Sequence, residues 1–296
     1  MSRQRKGFRN RYRRNMPWTE VFLKDLQCLI IDAWSWICNG FTLPVLVVYP
    51  DFPSKKTTIH KIGRKLKYRI TNKRLKRADL VLWFHDTTHA SSEVLVQCYP
   101  THSVMNRQCM DISKKYVDSI HSAVFGYSTI IDPKTYVGAA VAKSDINALH
   151  DGEIVRCPLN KTSEKAVYQI LIDNETETGE FLDYRVPVIG GDIPLAYAKY
   201  KKKEVRFTND VHRSTMHSPE DLFSKEEVSC ILQLANTMGA EFCEFDVLRD
   251  KFSGRIYVID VNKTPYGPPK GLTSTEHKTA IDLLTGAFQQ AFIKSH

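Results

Sequence analysis

The chain has 296 residues, 42% of them hydrophobic and 25% charged, with a formal net charge of +9. That composition matches ordinary globular proteins and the length supports a sizeable core, which excludes a fibrous chain, wholesale disorder or a small disulfide-dependent domain. The seven cysteines form an odd set without a C-x-x-C pair, and no leader pattern is recognisable, so the expectation is a cytoplasmic protein, with peripheral membrane contact as an added option.

Residues 1–17 form a basic arm in which Arg3, Arg5, Lys6, Arg9, Arg11, Arg13 and Arg14 crowd together. Such a run reads as a solvated tail, or as a contact for nucleic acid or anionic lipid. Trp18 to Asn39 reads as a helix stopped at Gly40, either a core helix or an amphipathic segment lying on a membrane surface. Asp32, Asn39 and Pro44 interrupt the apolar stretch, so no run of about 18 residues suits a spanning helix. LPVLVVYPDF from Leu43 reads as a buried strand, Lys61 to Lys73 as a helix, and ADLVLWFHDTT from Ala78 as a second strand. Residues 18–105 are therefore expected to form an α/β unit around a parallel sheet.

SVMN from Ser103 reads as a strand, Asp111 to Phe125 as a helix capped by Gly126, and STIID and YVGAAVAKS as extended segments. Strands then follow closely, at VYQILID from Val167, YRVPVIGG from Tyr184 and IPLAYAKY from Ile193, which suggests an antiparallel sheet. The expected boundary lies near residue 105, with 106–296 as an α+β domain. Gly190 and Gly191 suit a hairpin turn, Ser224 to Met238 a helix closed by Gly239, and Thr275 to Ile293 the last helix.

The chemistry concentrates in GAEFCEFDVLRDKFSGRIYVIDVNKTPYGPP, from Gly239 to Pro269. Two apolar strands flank a turn at Ser253-Gly254 and predict a hairpin. Asp260 and Asn262, two apart on a strand, share a face. A five-residue loop over Lys251 to Arg255 would set Asp250 against Ile256 and Asp246 against Asp260. Facing carboxylates need a cation, and two aspartates with an asparagine suit magnesium, with manganese as a substitute. The competing reading is a pair of solvent-facing acids on an amphipathic hairpin whose buried side includes Phe245, Val247, Ile259 and Val261.

An aspartate strand, a turn, and a strand ending in acid-x-Asn before a Pro/Gly loop resemble the ATP-grasp superfamily, over roughly residues 105 to 292. The resemblance implies ATP held between two α+β subdomains behind an N-terminal parallel α/β unit, with Asp246, Asp260 and Asn262 as magnesium ligands. It further implies that Lys143, ending the strand in YVGAAVAKS, reaches the phosphates, with Lys114 or Lys115 as a second lysine. In the linker near 167–173, the backbone of Gln169, Ile170, Leu171 and Ile172 would hold adenine and Asp173 the ribose. Arg185, Lys199 and Arg206 would stabilise the transferred phosphoryl group, with Lys201 either beside them or in a solvated turn. Glu244, where a cation is usual in the ligases, and Asp260, where Glu is usual, lean toward the inositol phosphate kinases. The expected function is thus phosphorylation of a hydroxyl on an anionic or polyhydroxylated acceptor, small molecule or glycan. The alternatives are carboxylate–amine ligation, a pseudoenzyme, or a nucleic-acid or membrane binding module.

Overall fold

A computed structural model describes residues 43–73, 77–91, 93, 99, 102–147, 151–205 and 211–293, with six helical positions between 26 and 37. The basic arm, His150 and Arg206 lie outside the described residues, so the phosphate role expected of Arg206 has no geometry to compare.

The first unit is a parallel sheet of four strands in the order β2-β1-β3-β4, built from β1 (Val45–Pro50), β2 (Arg69–Thr71), β3 (Leu80–Phe84) and β4 (Val104–Met105). Its central strands β1 and β3 are nearly continuous apolar runs because both faces are covered, while the edge strand β2 carries the exposed Arg69. Leu46, Val48, Leu82 and Phe84 enter one core while Val47, Val81 and Trp83 enter another, as the alternation of strand side chains requires. Helix α1 (Thr58–Lys65) is shorter than the expected 61–73 segment, whose second half is instead β2. Lys67, at φ 60°, turns the chain out of the helix. Gly63 then makes room for β2, because a Cβ there would sit 2.9 Å from Ile70 Cδ1.

Helix α2 (Lys114–Phe125) begins with the Ser113 side chain accepting from the Tyr116 amide and ends at Gly126 in the left-handed region. A three-stranded antiparallel sheet follows, β6-β5-β7, from β5 (Gly138–Ser144), β6 (Glu153–Cys157) and β7 (Ala166–Ile170). Strand β6 pairs with β5 from Gly138 against Cys157 to Ala142 against Glu153.

The largest sheet has the order β10-β9-β8-β11-β12, from β8 (Phe181–Ile189), β9 (Ala196–Lys201), β10 (Arg213–His217), β11 (Phe242–Arg249) and β12 (Ile256–Asn262). Gly190 and Gly191, both at positive φ, close the β8–β9 hairpin. One face carries Val186, Val188, Phe245, Val247, Val258 and Val261 into a core with α2 and with α3 (Lys225–Met238). Truncating a side chain such as Phe245 there costs about 3–5 kcal/mol. The other face is polar at its centre and apolar at one end, where Ile189 and Phe242 join the parallel unit and α4 (Ser274–Phe292) in a shared core. That core spans both sides of residue 105.

Candidate nucleotide and metal site

The expected Asp246–Asp260 opposition is present, but the turn geometry differs from the one that suggested it. Arg249, not Asp250, faces Ile256, so the connection is one residue longer than expected. The register then shifts between Asp246 and Val247, so Val247 pairs with Val258 and Asp246 with Asp260. Ile259 is the extra residue of this bulge, and Val258 rather than Ile259 joins the core. The bulge reverses the alternation along β12. Without it, Asp260 would lie on the same side as Val258, inside the apolar core.

Across the sheet one row reads Tyr197, Arg185, Asp246, Asp260, and the next Pro187, Glu244, Asn262. Arg185 Nε donates to Asp246 Oδ1 at 3.1 Å, and Lys199 Nζ lies 3.6 Å from the same oxygen. Burial opposes ionisation of Asp246, yet the Arg185 guanidinium and the Lys199 ammonium hold its carboxyl well below the usual range. Asp246 raises the Arg185 value further, while burial lowers that of Lys199. Lys201, far from forming a solvated turn, is buried and pairs with Asp183 at 2.7 Å.

Asp260 differs from Asp246. Burial and the facing Asp246 push its carboxyl up, and its Oδ1 is buried without a hydrogen-bond partner. The cations that oppose this shift are Lys143, at the end of β5, and Lys114, at the start of α2. Burial lowers Lys143 to about 8, with Asp260 acting the other way. Lys114 Nζ donates to the Ile146 carbonyl at 3.1 Å, which pins it beside the β5 terminus. The three-stranded sheet, the start of α2 and the five-stranded sheet thus bring two lysines and two aspartates together.

A buried, unpartnered carboxylate oxygen facing another carboxylate fits an oxygen-liganded cation. Among the described residues no three His, Cys, Asp or Glu side chains gather to hold an ion by themselves. Asp246 and Asp260 therefore need Asn262 and the oxygens of a bound phosphate to complete a shell. The Asn262 Oδ1 accepts from the Thr264 amide at 2.9 Å and from its hydroxyl at 3.2 Å, which shapes the start of the Pro/Gly loop.

The adenine edge differs from the expectation in part. The Ile170 amide donates to the Thr129 carbonyl at 2.8 Å and the Leu171 amide to Ala139, while the Gln169 side chain donates to the Thr129 hydroxyl. The amides of Ile170 and Leu171 are thus spent inside the protein, because the segment around Ile130 bridges Gln169. Ile172 is buried. Asp173 accepts from Lys251 Nζ at 2.8 Å and from the Glu175 amide, contacts that compete with a ribose role.

Three residues that sequence reasoning did not place in the site have unusual settings near it in the fold or the chain. Glu244 is buried, its oxygens lack hydrogen-bond partners, and burial pushes it up to about 7 against the nearby Arg185, whose Nη1 is 3.7 Å away. Lys61 on α1 donates to the Gly267 carbonyl at 2.7 Å, joining the parallel unit to the Pro/Gly loop. Lys263, next to Asn262, is buried with no hydrogen-bond partner for its ammonium. Strand alternation gave a signal for Glu244, two residues from Asp246; nothing local marks Lys61.

Residues 149–288 match the family model of the RimK-like ATP-grasp domain. Residues 149–288 are thus similar to an ATP-grasp domain. A probable α-L-glutamate ligase of Vibrio vulnificus (strain YJ016) is 28% identical over 137 residues, 44% of this chain and 42% of that protein. The chain thus matches less than half the length of this curated relative. The ATP-grasp ligase PsnB, solved with a minimal precursor, Mg and ADP, superposes with a TM-score of 0.54 at 12% identity, over 84% of this chain and all of that one. D-Alanine–D-alanine ligase from Bacillus anthracis, complexed with ATP, gives 0.51 at 13% identity over 85% of this chain and 97% of its own. These similarities agree on the ATP-grasp fold well beyond the matched domain. They lend no support to the inositol phosphate kinase branch.

Proposed function

We propose that this protein is a magnesium- and ATP-dependent ligase that activates a carboxylate as an acyl phosphate and couples it to an amine. One observation carries the reading: Asp246 and Asp260 face each other across β11 and β12, the latter with an unsatisfied buried oxygen, near the cations Lys143 of β5 and Lys114 of α2. Asp246, Asp260 and Asn262 would hold the metal, which when bound offsets charge on the nucleotide phosphates. Lys143 and Lys114 approach the phosphates as point charges, while Arg185 and Lys199 stabilise charge on the phosphoryl group in transfer. A substrate carboxylate oxygen attacks the γ-phosphorus, and the bond to ADP breaks with its electron pair leaving on ADP. The amine nitrogen then attacks the acyl carbon, inorganic phosphate departs, and the amine sheds a proton.

The lean toward hydroxyl phosphorylation rested on Glu244 and Asp260. Glu244 is buried beside Arg185, so the positive charge missing from its own position is supplied by the neighbouring strand. With that argument gone, the ligase relatives favour ligation. An anionic acceptor and a cytoplasmic setting remain part of the proposal.

The test is calorimetric titration of a non-hydrolysable ATP analogue with and without magnesium. Asp246→Asn and Asp260→Asn should each weaken the magnesium-dependent binding by about tenfold or more, a loss of at least ~1.4 kcal/mol. Equal affinity in both variants and the parent would refute the assignment.

A further inference from the structure

One step of the ligation has no residue assigned to it. An amine meets the protein as an ammonium at neutral pH, and its nitrogen cannot attack until a proton leaves. Of the bases described around the metal hairpin, Asp246 and Asp260 are committed to the cation and Glu244 lies against Arg185. His121 is stacked on Phe125 and Tyr257 in the interior. The base has to come from another element.

The parallel sheet offers one at its carboxyl edge. Strand β1 leads to β2 on one flank and β3 to β4 on the other, so the strand order reverses between β1 and β3. Open α/β sheets take their ligands at such a reversal. Pro50 lies opposite Phe84 at the ends of these strands, and the residues that follow are Asp51 and His85. The Asp51 amide donates to the Phe84 carbonyl at 3.2 Å, and Asp51 Oδ2 lies 3.0 Å from His85 Nδ1. A carboxylate only accepts, so the shared proton sits on Nδ1 and Nε2 keeps its lone pair. That nitrogen has no hydrogen-bond partner among the described residues, and the side chain, edge-on to Trp83, is 32% exposed.

Both loops that carry the pair are tied to the nucleotide and metal elements. Asn147, just beyond β5 and its Lys143, donates from its amide to Thr88 Oγ1 at 2.8 Å and from Nδ2 to Asp86 Oδ1 at 3.3 Å. After β1, the Thr58 amide donates to the Pro265 carbonyl at 3.0 Å, and Thr57 bridges Tyr266 in the Pro/Gly loop. The other histidine of this region, His89, pairs with Asp111 at 3.3 Å but stands 68% exposed, away from the strand ends.

We propose, on the ligase reading above, that His85 is the base that frees the amine nitrogen, with Asp51 as the positioning residue that fixes its tautomer. The Nε2 atom takes one proton from the ammonium, whose N–H electron pair becomes the nitrogen lone pair. That pair forms the bond to the acyl carbon. The bond from this carbon to the phosphate oxygen breaks with its electrons on the phosphate, which carries off the second surplus proton. Asp51 stabilises the imidazolium until it returns its proton to water.

Hydroxylamine separates the two half-reactions, because it is unprotonated at neutral pH and attacks an acyl phosphate without a base. The full-length protein is incubated with magnesium, ATP, a panel of dicarboxylic and amino acids, and either hydroxylamine or an amino acid as the nucleophile. His85→Ala should form hydroxamate at the parent rate while amide formation falls roughly a hundredfold, and added imidazole should restore part of that loss. His85→Gln, which fills the same space, should show the same split. Asp51→Asn should lower amide formation alone, and His89→Ala should alter neither product. Undiminished amide formation in His85→Ala, loss of both products together in His85→Ala and His85→Gln, or no rescue by imidazole would overturn the role of His85 and leave ligation standing. No hydroxamate from the parent with any acid would overturn ligation and the role of His85 with it.

Discussion

Replacing Arg185 by Gln removes the cation that Asp246 meets at 3.1 Å and Glu244 at 3.7 Å. Cutting one partner from a buried pair costs about 3–5 kcal/mol, because the partner stays buried and unpaired. Here the side chains of Arg185 and Asp246 retain 17% and 29% exposure, and Lys199 remains 3.6 Å from Asp246, so the expected loss is lower. It should be about 2–3 kcal/mol, which water and the remaining cation keep below the fully buried limit. For a chain of this length the melting temperature should fall by roughly 3–5 °C. Urea denaturation at neutral pH, with and without magnesium and an ATP analogue, measures the loss. The double variant Arg185→Gln with Asp246→Asn should be less destabilised than the sum of the two single changes. A loss under about 0.5 kcal/mol, or strict additivity, would refute the claim that the guanidinium holds the acidic face together.

Lys143 is displaced downward to about 8, so between that value and 10.5 the native chain carries fewer protons than the unfolded one. Its contribution to stability therefore rises with pH over this window, while nucleotide affinity, which needs the ammonium, falls. Binding titrations from pH 7 to 10 should show that fall, and Lys143→Met should flatten it. Gly267→Ala should loosen the Pro/Gly loop, because an added Cβ would lie 2.9 Å from Thr58 Oγ1 and 3.0 Å from Glu244 Oε1. Faster amide exchange in residues 264–269 would reveal this, and unchanged exchange would contradict the steric argument. Asp260→Asn should raise apo stability by removing one of two facing charges, even as it weakens magnesium-dependent binding. Thermal melts without metal test the sign.

The metal hairpin is legible because strand alternation is strict: Asp260 and Asn262 share a face whatever the turn. The opposition of Asp246 to Asp260 was expected from a loop one residue too short, and the Ile259 bulge supplies the missing residue. Bulges leave no local composition signal, so the facing pair was predictable while its cause was not. Helix ends marked by Ser224, Gly126 and Gly239 were equally readable, whereas α2 starts at Lys114, after the Ser113 cap, and not at the expected Asp111. The β2 strand was not readable, because Lys67 takes a left-handed turn without a glycine to announce it. The hydrogen bonding of the expected adenine edge was not legible for a different reason: the amides of Ile170 and Leu171 donate to Thr129 and Ala139, residues brought beside them only by folding. Lys61 and Glu244 likewise acquire their setting from contacts between distant parts of the chain.

The central claim is coupling of a carboxylate to an amine through Asp246 and Asp260. Its most direct measurement is mass spectrometry of products from the protein incubated with magnesium, ATP and a matrix of carboxylic acids and amines. The account predicts a product equal to acid plus amine less water, with ADP and phosphate released in equal amounts, absent with Asp260→Asn. A phosphorylated acceptor with no loss of water, or a coupled product still formed by Asp260→Asn, would contradict it.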